Sequence, residues 1–175
     1  MNRKIAMPVM RQLPRDTDRP RWRRFLGLWA PVVYELAEDY THATTLWTGE
    51  RVILFIPAGF RSDLASTPRI SWLFGYRPDG LLLVPGLFHD FFYRHGFVVD
   101  VAGPGRRHIR GSKAFGDRLL AHLTDEVSGL RLPGLVAWIA LALFGRPAWR
   151  KNDKYRRAYR ASGTYQLQGD YDNGD

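Results

Sequence analysis

The chain changes its apolar rhythm once, and that change limits the folds open to it. Val32-Val33-Tyr34-Glu35-Leu36, Thr44-Thr45-Leu46-Trp47 and Arg51-Val52-Ile53-Leu54-Phe55-Ile56 are short β-branched and aromatic runs between polar connections, a composition that suits a pleated, half-buried surface. Thr48-Gly49-Glu50 predicts a tight turn between the last two runs, and Pro57 and Gly59 stop the third, because proline removes a ladder donor and glycine loosens the backbone. From Leu81 onward the apolar residues instead recur at helical spacing or fill whole helical stretches. Strands followed by helices define an α+β chain. The expected form is a small antiparallel sheet over residues about 32–57, packed against three or four helices at about 67–74, 80–95, 112–127 and 131–144.

The first helix is announced by Ser66-Thr67-Pro68, where a hydroxyl caps and proline suits the first helical position. Leu81 to His95 reads as a helix buried on most sides, with Pro85 in its first turns and Gly96 closing it. Val98 to Gly111 carries Gly103-Pro104-Gly105 and then Arg106, Arg107, His108 and Arg110, so an exposed basic loop is expected there, solvated or set against phosphate. Ser112 is a possible cap for a helix whose Phe115, Leu119, Leu120, Leu123 and Val127 form one stripe.

With 175 residues, 45% of them hydrophobic, the chain can bury one sizeable core. A single globular domain is expected over 31–148, with a basic, aromatic N-terminal arm at 1–30 and a basic, then acidic, tail at 149–175. A net charge of +9 favours anionic partners, whether nucleic acid, anionic lipid or acidic protein, without choosing among them. No helix-turn-helix or zinc pattern singles out DNA. The absence of cysteine excludes disulfides and thiolate metal sites. In the arm, Arg21, Trp22, Arg23 and Arg24 interleave guanidinium and aromatic groups, either to anchor on an anionic surface or to dock on the domain or a neighbouring subunit. No signal peptide is expected. The longest apolar run, Leu132 to Phe144, falls short of the roughly 20 residues of a spanning helix and reads as a buried or membrane-surface helix.

Two stretches carry chemistry-bearing residues: Gly59-Phe60-Arg61-Ser62-Asp63-Leu64-Ala65-Ser66-Thr67-Pro68-Arg69, and His89-Asp90-Phe91-Phe92-Tyr93-Arg94. On a helix His89 and Tyr93 share a face, as do Asp90 and Arg94, while His89 and Asp90 diverge by roughly 100°. Asp63 and Asp90, with backbone carbonyls, are candidate ligands of a hard cation such as Ca²⁺. His89 is then free to act as a general base, with Asp117 on the next helix as the carboxylate that orients it. The same residue types also lock loops to helices: Asp63 to the Ser66 helix start, Asp90 to Arg94 or Arg69, His89 to a carbonyl.

These blocks resemble a family found mainly in bacteriophages and prophages, domain of unknown function 1353. It shares a Gly-Phe-x-x-Asp-[Phe/Leu]-Ala-Ser-x-Pro-Arg block, a His-Asp-[Tyr/Phe]-x-Tyr block and a downstream Asp, here Gly59 to Arg69, His89 to Tyr93, and Asp117. The resemblance spans about residues 32–149 and implies a phage context: a virion or tail component among other virion proteins, or a protein of the infected cytoplasm. A more local pattern is similar to bacterial secreted phospholipases A2. That similarity implies Ca²⁺ held by Asp63, the Leu64 carbonyl and Asp90, with His89 and Asp117 activating water against a lipid ester. Those enzymes are mostly helical and disulfide-bonded, whereas this chain has a strand-rich first half and no cysteine. The alternative is a non-catalytic assembly protein whose basic, aromatic arms bind neighbouring subunits, DNA or membrane.

Overall fold

A computed structural model describes residues 6–13, 33–62 and 81–162. The strands are β1 (Met10–Gln12), β2 (Tyr34–Leu36), β3 (Tyr40–Thr45), β4 (Arg51–Ile56), β5 (Arg61–Ser62), β6 (Phe97–Asp100) and β7 (Arg107–Arg110). The helices are α1 (Leu83–His95), α2 (Lys113–Ser128), α3 (Arg131–Phe144), α4 (Arg146–Lys151) and α5 (Asp153–Ser162). The fold is α+β, as expected, but its strands fall into two antiparallel sheets: β1-β2-β5 and β3-β4-β6-β7.

The β3–β4 hairpin shows why one register wins. Tyr40, His42 and Thr44 alternate inward along β3, and the pairing of Tyr40 with Ile56 through to Thr45 with Arg51 keeps that face on the core. A slip of one residue would turn all of them outward. Gly49 makes the expected turn, in the left-handed region at φ 85°.

Two expectations are corrected. The basic loop over Val98–Gly111 is a hairpin: all four residues of β6 are buried against β4, and the Gly103-Pro104-Gly105 tip returns the chain as β7. Arg107, expected to be solvated or set against phosphate, pairs with Asp100 at 2.8 Å and Glu50 at 2.6 Å, and Arg106 lies over the Phe55 ring. The arm and tail are also partly built into the domain. β1 pairs with β2, and Arg11 bonds Glu35. In the tail, Arg156 is buried, donates to the carbonyls of Tyr93 and Trp149 at 2.6 Å each, and stacks on Trp149. Such a guanidinium organises three segments at once. Arg21, Trp22, Arg23 and Arg24, like the helix expected at 67–74, lie outside the described residues.

Helix α1 runs through the middle of this arrangement. Leu87, Phe88, Phe91 and Phe92 are sealed from solvent among Leu54, Ile56, Phe60, Phe97, Leu119 and Leu123. Gly96, left-handed at φ 79°, ends it and sends the chain directly into β6.

Candidate functional site

The polar residues of α1 gather where α2 crosses it. Gly116 permits the crossing: a Cβ there would lie 2.5 Å from Cδ1 of Phe92, so only glycine lets the two helices approach this closely. The next residue, Asp117, is thereby delivered to His89. Asp117 Oδ1 is 3.8 Å from His89 Nε2 and accepts a 2.5 Å hydrogen bond from the Tyr93 hydroxyl. Its Oδ2 accepts from Lys113 Nζ at 2.6 Å. The same ammonium donates to the Leu141 carbonyl at 2.8 Å, which ties the site to the end of α3.

On the other side of the imidazole, Asp90 Oδ1 is 3.8 Å from Nδ1. Asp90 Oδ2 accepts a hydrogen bond from Ser62, the last residue of β5. His89 therefore sits between two carboxylates, tilted against Tyr93 with ring centroids 3.9 Å apart. At 3.8 Å neither contact is a hydrogen bond, and among the described residues Nε2 is buried without a hydrogen-bond partner. A buried, unbonded ring nitrogen costs free energy and calls for an explanation.

The electrostatics follow from this geometry. Burial of His89 opposes its charged form, but Asp117 and Asp90 outweigh burial and hold the imidazole above its ordinary value of 6.5. Burial likewise pushes the Asp117 carboxyl upward, while His89, Lys113 and Tyr93 more than offset it, so the group lies below 3.8. Tyr93 is raised by burial and by its bond to Asp117. Asp117 is thus held as a carboxylate with two donors already in place, and the imidazole beside it is drawn toward its charged form.

Sequence reasoning brings together His89, Asp90, Tyr93 and Asp117, and the structure does gather these four. Asp90 turns to Ser62, while Arg94 donates to the Arg61 carbonyl and lies over Phe60. Asp63, Leu64, Ser66 and Arg69 lie outside the described residues. Among the described residues no group of three or more His, Asp or Glu side chains is placed to hold a metal ion. Of the carboxylates expected to hold Ca²⁺, Asp90 lies among the described residues and Asp63 does not. Sequence reasoning missed Ser62, Lys113 and the Leu141 carbonyl. The i, i+4 spacing of Lys113 and Asp117 was a readable signal for one of them; the other two meet the site across long sequence separations.

A family match agrees with this core. Residues 34–141 match the family described as protein of unknown function (DUF1353), and the chain belongs to that family. The matched span holds β2 to most of α3, including His89, Asp90, Tyr93 and Asp117. Comparison with curated proteins and with solved structures gave no match.

Proposed function

We propose that this chain is a hydrolase of lipid or related ester bonds, made in a phage context and acting at the host envelope from the virion or the infected cytoplasm. His89, held between Asp117 and Asp90 with an unbonded Nε2, carries the proposal. Nε2 is the buried nitrogen and faces Asp117, so it is the natural site of the ring proton. Nδ1 then points toward the more open Asp90 side, where it accepts a proton from an attacking water. Asp117 fixes that tautomer and stabilises the imidazolium as it forms, and Tyr93 and Lys113 hold Asp117 in place.

Ca²⁺ belongs to the proposal through Asp90, with Asp63 and the Leu64 carbonyl; it would polarise the ester carbonyl. The support is that Ser62, the residue before Asp63, already bonds the Asp90 carboxylate. One observation favours the competing reading of a non-catalytic virion protein with basic arms for subunits, DNA or membrane. Asp117 and Asp90 both accept bonds that would lock a helix and a strand even without chemistry.

Hydrolysis of phospholipid and of a short-chain soluble ester, measured with Ca²⁺ and with chelator, separates the two. The expected result is metal-dependent turnover that falls by about 10²- to 10⁴-fold in His89→Ala, the usual range for a general base. A folded wild-type protein that turns over neither ester with Ca²⁺ present sinks the enzymatic reading.

A further inference from the structure

We propose that α3 is a membrane-docking element that lies flat on an anionic lipid surface and brings the His89 site to it. The substrate part of this inference rests on the hydrolase reading above; the docking part is read by binding alone.

Helix α3 has one attached face. Gly134, Ala137 and Leu141 point toward the body of the domain, Gly134 buried and the other two partly covered. The Gly134 N–H donates to Asp125 at 3.0 Å, and a Cβ on Gly134 would meet the Ala121 carbonyl at 2.4 Å, so α3 rests directly on the α2 backbone. Its far end is pinned by Lys113 at Leu141. Among the described residues nothing covers the remaining face: Leu132, Leu135, Trp138, Ile139, Leu143 and Phe144 are all exposed, Phe144 at 73% and Leu143 at 68%. A monomer in water rarely leaves so continuous an apolar strip uncovered.

Charge and length indicate what covers it. From Gly129 to Asn152 there is no acidic residue, while Arg131 and Arg146, at the two ends of α3, and Arg150 and Lys151 on α4 are exposed. A second copy packed on this face would bring those cations together with no carboxylate in the strip to answer them. An anionic headgroup layer answers Arg131 and Arg146 at the two ends of the helix, and Trp138 suits its boundary with the acyl chains. The 14 residues of α3 span about 21 Å at 1.5 Å per residue, short of the roughly 30 Å hydrocarbon layer. The helices that follow bend away by 63° and are held to the domain through Arg156. The helix therefore lies along the surface rather than through it. Because Lys113 joins Leu141 to Asp117, the seated helix ends beside the proposed base.

The test is flotation of the full chain with vesicles of phosphatidylglycerol, and of phosphatidylcholine as a neutral control. The comparison variant carries Leu135→Glu and Ile139→Glu, both at exposed positions, with its fold checked by circular dichroism. Partition to the anionic vesicles that weakens with salt and falls by about a hundredfold in the variant is expected. Equal partition of variant and wild type overturns docking through α3. So does an absence of vesicle binding together with a dimer, seen by sedimentation, that the two substitutions dissociate. Turnover of a dispersed short-chain ester without vesicle binding overturns docking and leaves the hydrolase; vesicle binding with no turnover of any ester supports docking and overturns the hydrolase.

Discussion

Helices α1 and α3 are made of similar residues and lead opposite lives. Both are rich in leucine and aromatic side chains, yet α1 is enclosed by strands and helices while α3 is attached along a single face. Apolar composition announces that a surface must be covered; it does not say by what. The polar residues make the difference. In α1, His89, Asp90, Tyr93 and Arg94 stand among the phenylalanines, and each polar group is positioned by the surrounding packing. Helix α3 has no charged, amide or hydroxyl side chain after Arg131, so its outer face selects a cover through the cations at its ends rather than through its own side chains.

The sharpest way to break this comparison is to cut the same kind of side chain from each helix. Phe92 is fully buried and lies between Phe115 and Trp149. Replacing it with alanine is expected to cost about 3–5 kcal/mol, measured by chemical denaturation. Phe144→Ala is expected to stay within about 0.5 kcal/mol, because a largely exposed side chain loses little on truncation. Equal losses would mean that α3 is covered within the molecule, and the contrast would disappear.

That contrast also explains what could be read in the sequence. Local patterns sufficed where a residue's role depends on its neighbours along the chain. Arg51–Ile56 is the strand its β-branched residues describe, and the Leu81–His95 helix loses only its first two residues. Patterns failed where the partner is distant. The residues Phe97–Asp100 fill a strand only because β4 is beside them; read alone, the glycines and arginines that follow suggested a loop. Arg156 looked like one more cation in a basic tail, and its burial depends on a carbonyl 63 residues away. At the site, the His-Asp motif and Asp117 were legible as types, whereas the Gly116 contact that brings them together depends on helix packing.

A substitution at the junction of the two helices sharpens the comparison with a smaller effect. In Gly134→Ala, the new methyl would lie 2.1 Å from Asp125 Oδ1 and 2.4 Å from the Ala121 carbonyl. A carboxylate tip can move, but the α2 backbone cannot without strain, so α3 must lift. The expected cost is about 1–3 kcal/mol. Because the Leu141 end is tied through Lys113 to Asp117, the shift should reach His89, read as a change in its NMR titration. An unchanged titration would show that α3 is mechanically independent of the site.

The smallest effect concerns only α1 and tests whether its buried polar groups act as charges. His89 titrates above 6.5 because the pull of Asp117 and Asp90 exceeds the cost of burial. A histidine whose folded value is raised stabilises the protein fully below the unfolded value, and that contribution is lost as pH rises through the folded one. In Asp90→Asn one of the two carboxylates is gone and the midpoint should move down. The variant should then be less stable than wild type in mildly acidic solution, by about 1 kcal/mol for a shift of roughly one pKa unit. The gap should narrow as pH rises and His89 becomes neutral in both proteins. Proton NMR of His89 and denaturation across that pH range measure the two together. A gap that stays constant with pH would mean that Asp90 acts only through its hydrogen bond to Ser62. In that case α1 would hold its polar residues to fasten β5, and His89 would lack one of the two charges that raise it.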